Sequence, residues 1–122
     1  TPTAPAAIGA YSQAMKVGGT VYISGQIPLQ PETMEVHPGD FRDRVDQVLR
    51  NLSAVATAAG GGLDRIVKLT VYLIRMEDFA ILNEQIEATW PTPYPARAVV
   101  AVAALPKGVD VEMDAVMDLT HG

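Results

Sequence analysis

The chain has 122 residues, 48% of them hydrophobic and 19% charged, which is the length and composition of one folded domain and excludes a generally disordered state. It contains no cysteine, so disulfide frameworks, thiolate metal sites, iron–sulfur clusters and cysteine nucleophiles are excluded. Nine Lys and Arg stand against 14 Asp and Glu, and the resulting charge of −5 repels phosphate backbones and argues against nucleic acid as a partner.

No apolar run reaches the roughly 18–20 residues that cross a bilayer. Thr1-Pro2-Thr3-Ala4-Pro5 lacks the basic start and apolar stretch of a signal peptide. The expectation is a single domain over residues 1–122, without a membrane partner and in the cytoplasm.

In chain order, Tyr11 to Gln26 reads as a hairpin turning at Val17-Gly18-Gly19-Thr20, with Val21-Tyr22-Ile23 in its second strand. Pro28 to Gly39 holds three prolines and reads as loop. Asp40 to Ala59 carries the strongest helical period, with Phe41, Val45, Val48, Leu49, Leu52, Val55, Ala56 and Ala59 at steps of three and four. Arg42, Asp46, Arg50 and Asn51 fall on the other side. Asp40 suits the N-cap and Gly60 the residue just past the end.

Ile66 to Ile74 reads as a strand with Val67, Leu69, Val71 and Leu73 on one face. Glu77 to Trp90 reads as a second helix, with Phe79, Leu82, Ile86 and Trp90 along its apolar stripe. Ala96 to Ala104 and Val109 to Met117 read as strands. In the last, Val111, Met113, Ala115 and Met117 alternate with Asp110, Glu112, Asp114 and Val116.

The order β-β-α-β-α-β-β predicts an α+β fold: a single mixed sheet with both helices on one face. The other face is then uncovered and, depending on register, carries residues such as Ile66, Tyr72 and Val99. A bare, partly apolar sheet face predicts a closed oligomer with sites at the seams.

Most motifs of chemistry are missing. Gly60-Gly61-Gly62 is not followed by the Gly-Lys-Ser/Thr of a phosphate loop. His37 lies in the proline loop and His121 in the tail, and both read as solvated. No His and carboxylate cluster has metal-ligand spacing, so no metal is expected. Ser12, Ser24 and Ser53 lack a histidine base for a triad.

Arg97, in Tyr94-Pro95-Ala96-Arg97, enters an otherwise apolar strand, where an unpaired buried charge is costly. Two readings stand: a structural salt bridge to Glu112 or Asp114, or a fork for a substrate carboxylate. Glu112 is either an exposed strand carboxylate or a water-activating, proton-transferring group. Ser24-Gly25-Gln26 ends a strand, where glycine allows close approach to the backbone. Tyr11 reads as core or as a pocket wall.

Taken together these residues resemble the Rid (YjgF-type) family of reactive-intermediate deaminases. The resemblance runs from about Ala4 to Val116. It rests on Ala4-Pro5-Ala6-Ala7-Ile8-Gly9-Ala10-Tyr11-Ser12-Gln13, Ser24-Gly25-Gln26-Ile27-Pro28, Asn51-Leu52, Lys68-Leu69-Thr70-Val71-Tyr72-Leu73, Phe79-Ala80-Ile81-Leu82-Asn83, Tyr94-Pro95-Ala96-Arg97, Leu105-Pro106-Lys107 and Val111-Glu112.

It implies a chorismate-mutase-like homotrimer with helices outside, three clefts between subunits, and no metal or organic cofactor. It further implies hydrolysis of 2-imino acids, such as 2-iminobutanoate and 2-iminopropanoate, or of their enamine tautomers, to 2-oxo acids and ammonia. Carried over by position, Arg97 would clamp the substrate carboxylate and Glu112 would hold water or shuttle a proton. Tyr11 would close a wall, Ser24 and Gly25 would line the site, and Asn83, Tyr94 and Val99 would be further contacts. Val99 stands where many relatives carry cysteine, and the segment before Tyr94 is shorter than in many of them.

Rival readings are a trimer that binds small carboxylates for regulation, and a dedicated catabolic enamine deaminase such as one for 2-aminomuconate. RNA cleavage is a further reading, which the acidic balance opposes.

Overall fold

A computed structural model describes residues 1–120. Seven main elements follow in the expected order: β1 (Ala14–Val17), β2 (Thr20–Gln26), α1 (Phe41–Ala58), β3 (Ile66–Leu73), α2 (Phe79–Thr89), β4 (Ala96–Ala101) and β5 (Val111–Asp118). The strands form one sheet ordered β1-β2-β5-β3-β4. Only the β3–β4 pair is parallel, bridged by α2; the others are antiparallel. His121 lies outside the described residues.

α1 starts where its capping chemistry says it must. The Asp43 N–H donates to Asp40 Oδ1 at 3.0 Å and the Asp40 N–H donates back to Asp43 Oδ2 at 3.1 Å, a reciprocal box satisfying two otherwise orphaned donors. These local bonds favour the charged form of Asp40, and its pKa is lowered accordingly, chiefly by the Asp43 N–H. At the other end Gly60 takes φ +102°, a conformation that favours glycine, and the Gly61 N–H closes the helix on the Ala56 carbonyl at 2.9 Å.

The apolar stripe of α1 lies on the sheet. Val45, Val48, Leu52 and Ala56 are fully buried, against Val21 of β2, Leu69, Val71 and Leu73 of β3, and Val111, Met113 and Met117 of β5. Burying each of the larger side chains contributes about 1.5–3 kcal/mol. α2 adds Leu82 and Ile86 to the same core.

Four residues lie on another face than the sequence pattern suggests. A bulge interrupts the β3–β5 register between Ile66 and Lys68, so Ile66 is buried on the helix side and Val67 is turned outward, 48% exposed. Val99 pairs in register with Val71 and packs against the core, so it too lies on the helix side. The open face instead carries Met15, Tyr22, Val116 and Lys68 in one row, with Tyr72 and Val100 in another.

The fourth is Asn51, expected on the polar side of α1 but completely buried. Its Nδ2 donates to the carbonyls of Ile27 at 3.2 Å and Leu29 at 3.0 Å, and its Oδ1 accepts from Gln47 Nε2 at 2.9 Å. One helix amide thus fastens the start of the 27–39 loop. Asn51→Ala leaves those carbonyls without this donor, and each lost bond at a buried group costs about 1–3 kcal/mol. Denaturant unfolding should show a loss of about 2–4 kcal/mol, among the larger single-residue effects in this domain.

A second fastening holds the loop's far end. Arg44 donates through Nε and Nη2 to both carboxylate oxygens of Asp110, at 2.8 and 2.7 Å, and through Nη1 to the Gly39 carbonyl at 2.6 Å. The hydrogen bonds it donates to Asp110 raise the Arg44 pKa. Among the described residues, no helix is long and apolar enough to cross a membrane.

Candidate functional site

The predicted site residues fall into two groups. The first gathers at the outer edge of the sheet, where β4 has no neighbour beyond it. Arg97 pairs in register with Leu69 of β3, so its side chain lies on the helix side, against α2. Its Nη1 donates to Asn83 Oδ1 at 2.8 Å, and its guanidinium carbon sits 5.4 Å from the centre of the Phe79 ring. That stacking contributes about 0.5–1 kcal/mol at an exposed position.

The salt bridge weighed for Arg97 is not formed: among the described residues it makes no ion pair, and Asp114 instead accepts from the Tyr72 hydroxyl at 2.8 Å. Arg97, Asn83 and Tyr94 line a pocket of about 420 Å³, with Leu69, Ile86 and Glu87 completing its wall. The Val99 side chain packs inward. The Val102 N–H pairs with the Leu73 carbonyl at 2.8 Å, and alternation along the strand turns the Val99 N–H to the unpaired edge.

The second group lies across the sheet. β2 bulges between Ile23 and Gln26, which frees Gly25 from the ladder. A Cβ on Gly25 would collide with the Glu112 carboxylate, so the glycine is what lets that carboxylate lie against the backbone. The Ser24 hydroxyl donates to the Ser12 carbonyl, and the Ser24 N–H donates to the Gln13 carbonyl at 3.0 Å. Ser24 therefore ties down the segment that carries Tyr11. Tyr11, 52% exposed, lines a second pocket of about 470 Å³ with Gly25, Ile27, Met34 and Lys107.

Electrostatics single out Glu112. It is half-buried, and desolvation, reinforced by the nearby Asp114 charge, raises its pKa above the ordinary carboxylate value. Tyr72 is pushed up to about 12, mainly by its hydrogen bond to Asp114. Among the described residues, no group of three or more His, Cys, Asp or Glu side chains is placed to hold a metal ion.

One protomer does not bring the two groups together. Arg97 shares the helix side with Leu69 and Ala115, whereas Glu112 pairs with Tyr72 on the open side. Strand β3 lies between them. Sequence reasoning missed Phe79 as a contact of Arg97, and missed Glu87 altogether. The available signal was spacing: Phe79, Asn83 and Glu87 recur every fourth residue, one face of a helix.

The fold and site define a class: a single-sheet α+β domain with an arginine-headed pocket at the free edge and a separate tyrosine-walled pocket beside a strand bulge. The model of the family described as Endoribonuclease L-PSP matches residues 1–118. The RutC family protein y4sK of Sinorhizobium fredii is 48% identical, over 98% of this chain and 95% of its own. A mouse protein named 2-iminobutanoate/2-iminopropanoate deaminase is 45% identical, over 95% of this chain and 86% of its own. The crystal structure of RidA from an Antarctic Psychrobacter superposes with a TM-score of 0.93 at 53% identity, covering 97% of this chain and 95% of that one. Escherichia coli TdcF, solved with bound serine, gives 0.89 at 40% identity, covering 97% and 94%. The chain belongs to this family, the one that holds the RidA and YjgF proteins.

Proposed function

We propose that this chain hydrolyses 2-imino acids, 2-iminobutanoate and 2-iminopropanoate among them, and their enamine tautomers, to 2-oxo acids and ammonia. The observation that carries this reading is Arg97: a guanidinium at a pocket wall, held by a neutral amide and an aromatic ring, with no acidic partner among the described residues. Such a group is poised to grip a small carboxylate in a two-pronged fork. The names of the relatives support it, and the serine bound to TdcF carries the carboxylate that such a fork needs.

In this reading the working site is a cleft completed by a second copy of the chain. A homotrimer packed through the open sheet faces would bury Met15, Tyr22, Val100 and Val116. One subunit supplies Arg97, the Val99 N–H and Tyr94; its neighbour supplies Tyr11, the Gly25 backbone and Glu112.

The chemistry follows from these groups. Arg97 fixes the carboxylate and thereby the imine carbon. Glu112, as carboxylate, takes a proton from a water held beside Gly25 as the water oxygen bonds to that carbon. The C=N electron pair moves to nitrogen, which takes that proton from Glu112 and gives the neutral aminol. Glu112 then carries the aminol hydroxyl proton to the amine nitrogen, the C–N bond breaks, and ammonia leaves as the C=O forms. Water and imine are consumed and ammonia and oxo acid released, one for one. The net charge of −5 weighs against the RNA cleavage in the family's description.

The test couples the chain to a pyridoxal-phosphate serine/threonine dehydratase or an amino-acid oxidase, and follows decay of the imine by trapping it with semicarbazide. Faster decay, with ammonia and 2-oxo acid appearing in equal amounts, is expected. Binding of 2-oxo acids without acceleration, across several parent amino acids, would favour a ligand-sensing role instead.

A further inference from the structure

The guanidinium of Arg97 is held by a residue that is itself held. Asn83 Oδ1 accepts from Arg97 Nη1 at 2.8 Å, while Asn83 Nδ2 donates to Glu87 Oε1, also at 2.8 Å. We propose that Glu87 is a positioning residue: it locks the Asn83 amide in the one orientation that accepts from Arg97, and so aims the arginine at its carboxylate ligand. This rests on the reading of Arg97 as the carboxylate clamp.

Donor and acceptor chemistry leaves a single arrangement. An arginine only donates and an ionised carboxylate only accepts, whereas an asparagine amide has one end of each kind. With a donor on one side and an acceptor on the other, the amide has one satisfied orientation. A flip would face NH₂ against guanidinium and carbonyl against carboxylate, losing both bonds. Without Glu87 only the bond to Arg97 itself separates the two orientations, and the amide guides the arginine less firmly.

The interposed amide also solves an electrostatic problem. Among the described residues, Glu87 makes no ion pair with Arg97. An acid bonded directly to the guanidinium would compete with an anionic substrate. A carboxylate one hydrogen bond further away orients the arginine while leaving its charge to the ligand. Arg97 has five N–H donors and spends one on Asn83, so the Nε and Nη2 edge stays available for a fork. The helix makes the chain of contacts regular: Phe79, Asn83 and Glu87 follow at four-residue steps, about 6 Å apart along the axis, so one face of α2 carries the ring, the amide and the carboxylate. Both Asn83 and Glu87 line the Arg97 pocket.

The competing account is an ordinary surface pair on α2 with no bearing on the ligand. The two are separated by Glu87→Gln, Asn83→Ala and the double variant, each read by KM and kcat for the imine, by the inhibition constant of 2-oxobutanoate, and by Tm. Because a glutamine can either accept from Asn83 Nδ2 or donate to Asn83 Oδ1, Glu87→Gln removes the orienting preference from that side while keeping the shape. It should raise KM and the inhibition constant together by about 3–10-fold, the worth of one ordinary hydrogen bond, with kcat changed by less than about twofold. In the Asn83→Ala background the same change should add less than about 1.5-fold, because its only route to the ligand is gone.

Equal effects in both backgrounds, or an unchanged KM in Glu87→Gln and in Glu87→Ala, would overturn the proposal. An intact KM in Arg97→Ala would instead remove the clamp reading beneath it. Loss in Arg97→Ala with none in the Glu87 variants would fault Glu87 alone.

Discussion

Arg97→Ala should lower kcat/KM for imine hydrolysis by about 10²–10⁴-fold, since two hydrogen bonds to a charged group are worth about 3–6 kcal/mol and each 1.4 kcal/mol is a decade. The inhibition constant for 2-oxobutanoate should rise with it, because product and substrate share the carboxylate. The fold should survive: the side chain is exposed and makes one hydrogen bond and one ring contact. Arg97→Lys is the informative partner. It keeps the charge and loses the planar fork, so it should recover only part of the loss. Steady-state kinetics of the three proteins, with circular dichroism to verify folding, check the result. Equal activity in all three would place the carboxylate elsewhere.

The second large effect belongs to Glu112→Gln, and it has two signs. Turnover should fall by about 10²-fold or more, the usual worth of a positioned proton-transfer group. Stability at neutral pH should rise. The raised pKa means the folded protein holds this proton more tightly than the unfolded chain does. Stability is therefore lost as pH rises from the ordinary carboxylate pKa through the raised one, and it stays lost above it. Glutamine carries no such charge, so its melting temperature should exceed wild type at pH 7, and the gain should vanish below the ordinary carboxylate range. The wild-type turnover profile should also show an acid limb above that range, as Glu112 becomes protonated, and the variant should lack it. Melting curves and pH–rate profiles test both. A variant less stable at pH 7 would mean that the burial of Glu112 is not what raises its affinity for the proton.

Much of the fold was readable because the period of apolar residues matched a burial pattern made by immediate neighbours. β5 alternates perfectly, and Val111, Met113, Ala115 and Met117 are all buried. α1 keeps its stripe for its whole length. The errors share one cause: information from far along the chain. Ile66 and Val67 exchange faces because a bulge adds a residue to β3 opposite β5, more than forty positions later. Asn51 is buried because two carbonyls of a loop over twenty residues upstream need its donors. Val99 took the wrong face because the parallel register with β3 is set by the α2 crossover and not by its own neighbours.

The site divided in the same way. The candidate residues were nameable from local motifs. Arg97 is the clearest example of what was not. Its sequence context offered Glu112 or Asp114 as partners, and β3 stands between β4 and the strand that carries both. The partners it has come from α2, through one amide and one ring, contacts that leave no charge pattern in the sequence.

The bulge at Gly25 and the free edge at β4 have a longer reach. In the proposed reaction, ligand grip would come from α2 and β4, water handling from β2, β5 and the amino-terminal segment, and the two workshops would share no side chain. Natural variation can therefore remodel the Thr89–Tyr94 stretch, altering which carbon skeletons are admitted, while the hydrolytic half is inherited untouched. A lineage built on this plan can diversify its diet one wall at a time.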